Sequence, residues 1–313
     1  MNGRGAAFAA FFCAAARIAL KNFHKYVTLM QINVGGSMNT LFVSDLDGTL
    51  LTAKETVSEY SMRLLNELID GCGVRFTYAT ARSLNSAAKA VWGLRQNLPV
   101  ILYNGAIIME PWSGKKLFNN PFGKQERSYI RDTFAQTDTW PLVYSFAESR
   151  EHVSWVRGKE TEGMKRYLSR RAGDPRLNPV SSPDELKGDE IFYYTCIDRK
   201  EKTDRLYAVF GSDPRFKCIY QQETYHTDYW LEIMPAGTSK GAAARILKEM
   251  LGAERVVVFG DALNDREMFL AADESYAVKN ADDELKKIAT TVIGYSEEDA
   301  VAKFIRDNIK KYI

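Results

Sequence analysis

Apolar and polar positions alternate in blocks from about residue 38 onward, and the blocks change period. Thr40 to Ser44 is a short apolar run of the length a buried strand takes. Thr56 and Glu59 have capping-box spacing, and Tyr60, Leu64, Leu65, Leu68 and Ile69 then recur at helical spacing. Gly71 and Gly73 stop that helix. Arg75 to Thr80 reads as a second strand, Ser83 to Trp92 as a second helix, and Val100 to Tyr103, entered through Pro99, as a third strand. This order predicts a parallel sheet covered by helices. It returns late in the chain: helix Lys240 to Leu251, strand Arg255 to Phe259, helix Leu263 to Ala271, strand Ser275 to Val278, and a last helix from about Glu297.

The middle follows another pattern. Between about Pro121 and Tyr229, Tyr, Phe and Trp stand in alternating runs such as Leu142-Val143-Tyr144, Val153-Ser154-Trp155-Val156 and Ile191-Phe192-Tyr193-Tyr194. Helical patterns near Gly163 to Arg170 and Glu201 to Val209 interrupt them, and Arg171 to Glu185 reads as a polar loop. The expectation is an α/β core over 38–120 and 230–313, carrying an inserted α+β domain over 121–229. Aromatic runs of this kind are more often core than stacking platform.

Residues 1–37 do not fit that frame. Ala6 to Ala16 is an unbroken run of Ala, Phe and Cys, about half of the ~20 residues a bilayer span needs. Arg4 before it would suit a secretory signal, but no clean small-x-small cleavage site follows. Gly35-Gly36-Ser37 then precedes Met38 and a strong strand. The reading is an N-terminal extension outside the fold.

Composition narrows the chemistry. The 313 residues are 45% hydrophobic and 26% charged, enough chain for roughly two domains with real cores. Lys plus Arg is 42 and Asp plus Glu 40, a net charge of +2. That balance argues against a nucleic-acid binder and gives no reason for stable membrane association. Cys13, Cys72, Cys196 and Cys218 are scattered, without a C-x-x-C. His24, His152 and His226 are far apart. A catalytic metal would therefore be held by carboxylates.

Two acidic segments stand at strand ends. Asp45-Leu46-Asp47-Gly48-Thr49-Leu50 follows the first strand, and Gly260-Asp261-Ala262-Leu263-Asn264-Asp265 follows the strand ending at Phe259. Taken singly, one reads as an Asp-Gly turn and the other as a helix N-cap region. Together, at the carboxyl ends of one parallel sheet, where ligands bind, they make a site for a hard cation such as Mg²⁺. Lys240 opens a helix after Gly237-Thr238-Ser239, without Walker spacing. Thr80 ends the second strand before Ala81-Arg82.

The ordered set D-x-D-G-T, Thr, Lys, G-D-x-x-N-D resembles the haloacid dehalogenase superfamily of phosphatases and phosphotransferases. Thr80-Ala81-Arg82, Tyr103-Asn104-Gly105-Ala106, Lys240-Gly241, Asn280-Ala281 and Asp299-Ala300-Val301-Ala302 are similar to motifs of its Cof-type subfamily, whose insert is a type IIB cap. The resemblance runs from about Met38 to the C-terminus. It departs at Ala81 and Ala300, where glycine is usual, and at Ala262, where it is frequent.

The resemblance implies a Rossmann-like core with an α+β cap and a cytoplasmic, Mg²⁺-dependent phosphatase of a small phosphorylated metabolite such as a sugar phosphate. It makes Asp45 the nucleophile and Asp47 the acid and base. Asp45, Asp47, Asp261 and Asp265 become the metal set, Asp47 through its backbone carbonyl. Lys240 becomes a catalytic residue that cancels the repulsion between Asp45 and the phosphate, and with Thr80, Asn264 and the loop residues Leu46 and Ala81 it makes the phosphate contacts. Glu148, Arg157, Lys165 and Arg166 are candidate cap contacts. A phosphotransferase or mutase, or a metabolite-binding protein without turnover, remains an alternative. The oligomeric state stays open.

Overall fold

A computed structural model describes residues 39–147, 150–186, 190–223 and 226–312. The expected extension over 1–37 and the candidate contact Glu148 lie outside the described residues. The chain forms two compact units, one from 39–118 with 239–312 and the other from 119–238.

In the first unit β1 (Thr40–Ser44) is buried along its whole length, as a strand covered on both faces must be. Helix α1 (Glu59–Cys72) buries Leu65, Leu68 and Ile69. Its cap is Ser58 rather than Thr56: the Ser58 hydroxyl accepts from the Ser61 amide at 2.9 Å. Thr56 instead closes a turn, its carbonyl accepting from the Thr52 amide at 3.0 Å. Gly73, at φ 69°, ends the helix. Then come β2 (Arg75–Tyr78), α2 (Leu84–Ala90) capped by Ser83, β3 (Val100–Leu102), β4 (Ile107–Met109) and β5 (Lys116–Asn119). Strands β3, β4 and β5 make a small sheet of their own, joined beside β2 through the bridge from Ala79 to Ile101.

The second unit is built from α3 (Lys124–Thr137), β6 (Leu142–Ala147), β7 (Arg150–Val156), α4 (Glu162–Ser169), β8 (Leu177–Val180), β9 (Glu190–Asp198), α5 (Lys200–Phe210), β10 (Phe216–Gln222) and β11 (Tyr229–Pro235). Its sheet runs β10-β11-β9-β6-β7-β8. Strand β8 falls inside the expected loop. It is an edge strand, where Pro179 costs no ladder bond to a further neighbour. The aromatic runs are core: Phe122, Phe134, Tyr194, Phe210 and Phe216 pack together, with Phe210 and Phe216 edge to face at 5.4 Å. The expected boundary at 229/230 is corrected. Strand β11 hydrogen-bonds to both β9 and β10, so the insert extends to Thr238.

The chain re-enters the first unit as α6 (Lys240–Leu251), β12 (Arg255–Gly260), α7 (Arg266–Ala271), β13 (Glu274–Ala277), α8 (Asp283–Ile288), β14 (Thr291–Val292) and α9 (Ala300–Asn308). The sheet is parallel, ordered β14-β13-β12-β1-β2. The expected helix from Leu263 is split: Leu263–Asp265 is a 3₁₀ turn, and the α-helix starts at Arg266. Ser44 lies level with Phe259 on one side and Tyr78 on the other. The residues after β1, β2 and β12 therefore emerge at one edge.

At the opposite edge Glu274 is a sink for four donors. It accepts from Arg255 and Tyr276, and from Lys311 and Tyr312 at 2.7 Å each. Burial alone would raise its pKa, but the Lys311 ammonium and the two tyrosine hydroxyls hold it down at about 2. A depressed carboxyl contributes stability above its ordinary value near 4.5 and loses it as pH falls toward about 2. Glu274→Gln is therefore expected to lower the Tm at pH 7 by several degrees, with the gap narrowing at pH 3. Thermal melts at the two pH values check this; equal melting at pH 7 would refute it.

Candidate active site

Three carboxylates and one ammonium meet at the carboxyl edge of the parallel sheet. Asp45 directly follows β1 and its amide donates to the Phe259 carbonyl at 2.9 Å. Asp261 directly follows β12. Asp265 ends the 3₁₀ turn, its Oδ2 accepting from the amides of Asp261 and Ala262 at 3.1 and 3.2 Å. Carboxylate oxygens of Asp45, Asp261 and Asp265 lie within 4.8 Å of one another. Lys240 enters from the first turn of α6, where Ser239 caps the helix. Its Nζ donates to Asp45 Oδ1 at 2.5 Å and to Asp265 Oδ1 at 2.7 Å. Lys240 is 1% exposed and Asp265 fully buried.

Burial and like charge set the protonation of this group. Desolvation pushes Asp45 well above the usual carboxylate range; Lys240 opposes that push, while the charges of Asp265 and Asp261 add to it. Burial and the Asp265 charge raise Asp261 to about 6. Burial works against the charge on Lys240, but attraction to Asp265 and Asp45 outweighs it and its pKa rises. With all three ionised, three carboxylates around one ammonium leave two negative charges in excess. Hard oxygen donors with that excess fit a divalent cation of the Mg²⁺ kind, which would offset the burial and the repulsion that together raise Asp45 and Asp261.

Glycines make the close approach possible. Gly48 has φ 76°, and a Cβ there would stand 2.3 Å from Asp261 Oδ2. A Cβ on Gly260 would stand 2.6 Å from Asp265 Oδ2. Thr49 Oγ1 donates to Asp261 Oδ1 at 3.1 Å, and Asn280 Nδ2 to the Gly48 carbonyl at 2.7 Å. Among the described residues Ala81, Ala262 and Ala300 are not at positive φ. The three departures from glycine therefore cost no backbone strain.

Other expected site residues are held by partners outside the carboxylate cluster. The Asp47 side chain is half exposed and turns to Arg82, whose Nε and Nη2 donate to its two oxygens at 2.8 and 2.5 Å. Arg82 Nη2 also reaches Glu55 Oε2 at 3.1 Å. Thr80 is buried and its hydroxyl accepts from the Arg82 amide at 3.1 Å. Leu46 buries its side chain, and its carbonyl accepts from the amides of Thr49, Leu50 and Leu51. Ala81 is exposed. Asn264 is exposed and its Nδ2 donates to Asn104 Oδ1 at 3.2 Å. In the second unit Lys165 pairs with Glu162 at 2.8 Å, Arg166 pairs with Asp228, and Arg157 is exposed. Thr49, Arg82 and Asn104 were given no role by the sequence reading. Each lies inside a motif segment, but spacing does not tell which neighbour a side chain turns to.

The sequence pattern of haloacid dehalogenase-like hydrolases matches residues 42–305. The chain belongs to the haloacid dehalogenase-like hydrolase family. It is 24% identical over 282 residues to the 5-amino-6-(5-phospho-D-ribitylamino)uracil phosphatase YitU of Bacillus subtilis, spanning 85% of this chain and 96% of that one. It is 24% identical over 273 residues to the HMP-PP phosphatase of Klebsiella pneumoniae, spanning 86% and 95%. The crystal structure of TM0651 from Thermotoga maritima superposes with a TM-score of 0.68 at 25% identity, covering 86% of this chain and 97% of that one. The family assignment makes this haloacid dehalogenase-like chain a hydrolase, and both relatives named above are phosphatases. No helix among the described residues is long and apolar enough to cross a membrane.

Proposed function

We propose that the chain is a Mg²⁺-dependent phosphomonoesterase that works through an aspartyl phosphate on Asp45 and takes a sugar or sugar-alcohol phosphate. The observation that carries this reading is the buried Lys240, bonded to both Asp45 and Asp265 beside Asp261. Such an arrangement has no structural need: a buried ion cluster rarely adds stability over an apolar one. It does answer the central difficulty of the chemistry. Two unit charges 4 Å apart repel by about 4 kcal/mol at an effective dielectric of 20, and an aspartate must approach a phosphate dianion.

Lys240 occupies Asp45 Oδ1, leaving Oδ2 to attack phosphorus as the ester P–O bond breaks. Asp47 gives its proton to the departing oxygen, then takes one from the water that attacks the aspartyl phosphate. Free phosphate leaves and Asp45 is restored. In this structure Asp47 accepts two bonds from Arg82, so proton donation requires that pair to open. Thr80, Asn264 and the Leu46 amide hold phosphoryl oxygens. Asp45, Asp261, Asp265 and the Asp47 carbonyl would hold Mg²⁺, which when bound neutralises the phosphoryl charge. The ribityl phosphate in the Bacillus subtilis relative's name supports the polyol class of substrate.

The test is phosphate release from a panel of sugar phosphates, sugar-alcohol phosphates, nucleotides and cofactor phosphates, with Mg²⁺ and with EDTA. Release that needs Mg²⁺ is expected, ranked toward polyol phosphates. Because burial and the Asp265 charge raise Asp261 to about 6 and the cation competes with its proton, more Mg²⁺ should be needed for half-activation as pH falls below about 6. Release that ignores EDTA would refute the metal. Phosphorylated acceptor in place of free phosphate would refute the hydrolase.

A further inference from the structure

Among the described residues, the connection after β3 is the one place where three successive residues stand at positive φ. Tyr103, Asn104 and Gly105 stand in succession at φ 51°, 54° and 97°. Glycine takes such angles freely, asparagine tolerates them, and tyrosine does so only when its surroundings compel it. The compulsion comes from three of the motif segments. The Tyr103 amide donates to the Arg82 carbonyl at 3.2 Å and the Asn104 amide to the Thr80 carbonyl at 3.0 Å. Gly105 lies against the start of α6, where a Cβ would stand 2.1 Å from the Ser239 carbonyl oxygen, next to Lys240. Asn104 is 4% exposed, and its Oδ1 accepts from Asn264 Nδ2 at 3.2 Å. The loop joins the threonine, lysine and Asn264 segments, none of which adjoins another in sequence.

We infer that Asn104 is a positioning residue for the phosphoryl-transfer reaction, acting through Asn264. The inference rests on the phosphatase reading above. The Asn264 amide nitrogen carries two hydrogens. Asn104 Oδ1 takes one of them, which fixes the amide against rotation and against exchange of its oxygen and nitrogen ends. The second hydrogen is then aimed at a phosphoryl oxygen. Without Asn104 the exposed Asn264 side chain rotates freely and can present its own oxygen, an acceptor, to an anion. Burial of Asn104 inside a strained turn is what gives the aim its rigidity.

Asn104→Gly isolates this role, because glycine keeps the left-handed backbone and removes only the amide. p-Nitrophenyl phosphate hydrolysis and calorimetric binding of inorganic phosphate, both with Mg²⁺, are measured for wild type, Asn104→Gly, Asn264→Ala and the double variant. Asn104→Gly is expected to stay folded, with a melting temperature within a few degrees of wild type. Its kcat/KM should fall, and its phosphate Kd rise, by about tenfold, the scale of one hydrogen bond to a charged group. The double variant should be no worse than Asn264→Ala alone. Wild-type kinetics in Asn104→Gly would overturn the inference, as would a double variant whose loss is the product of the two single losses. Wild type that binds phosphate without turning over the ester would refute the phosphatase reading while the Kd series still decides Asn104. Wild type that does neither overturns both.

Discussion

Asp45→Asn is expected to abolish phosphate release, by about 10⁴-fold or more, the scale of removing a covalent nucleophile, while the protein stays folded. The two side chains have nearly the same shape, so the packing around β1 is kept. The electrostatic effect on folding has a definite sign. Desolvation holds the Asp45 carboxyl well above the usual range, so the folded state binds its proton more tightly than the unfolded chain does. Such a group loses stability as pH rises from its ordinary value of 3.8 through its raised one. The metal-free variant at pH 7 should therefore melt no lower than wild type. Added Mg²⁺ should raise the Tm of wild type, since it binds only the folded state, and raise that of the variant less. Phosphate assay, thermal melts with and without Mg²⁺, and trapping of phosphorylated protein read the three parts. A variant that turns over at the wild-type rate ends the covalent mechanism.

Lys240→Met should lose both activity and stability. The methionine fills the apolar part of the lysine channel and removes the charge. Asp45 and Asp265 then face each other, with Asp261 nearby, and no cation remains among them. Breaking a buried pair by removing one partner costs about 3–5 kcal/mol, and loss of one charge-stabilising donor costs about 10²–10³-fold in rate. The raised pKa of Lys240 means that its own titration costs nothing below the ordinary lysine value of 10.5 and removes the contribution only at higher pH; at low pH it is the carboxyls that titrate. At pH 7 the Tm gap to wild type should be at its full size. It should shrink toward pH 5 as the carboxyls left behind take up protons and need no counter-charge. Mg²⁺ should restore part of the stability but little of the rate. A variant as stable and active as wild type would mean that Lys240 neither balances the carboxylates nor assists transfer.

Elements with a strong period were legible in the chain. Helix α6 runs over the residues its spacing marks, and β1 over its apolar run. Short or atypical elements were not. Helix α3 carries charge along most of its length and buries only Ile130, Thr133 and Phe134, too few positions for a clear period. Strand β8 lies in a stretch rich in Pro and Ser, and edge position permits that composition. The start of α1 moved from Thr56 to Ser58 because two hydroxyls compete for such a cap and local spacing does not rank them. Ser58 wins with tertiary help: Asp299, at the N-terminus of α9, accepts from its hydroxyl and from Ser61 at 2.8 Å.

By itself the chain determined which residue types stand at which strand ends. Apolar runs set the strands, Asp45 and Asp261 follow theirs directly and Thr80 follows β2 after Ala79, so a parallel sheet delivers all three to one edge whatever the packing details. Tertiary structure decided how those groups are divided. It buried Asp45 and Asp265 against Lys240 and raised Asp45 and Asp261, yet turned Asp47, two residues from Asp45, outward to Arg82. It also drew Asn104, a motif residue without an assigned role, to Asn264, 160 positions away. The physical reason is one of range. Periodicity and strand-end chemistry are local and survive in any fold that uses the strands. Desolvation and side-chain pairing depend on which atoms from distant segments fill the remaining space, and only the packed molecule specifies that.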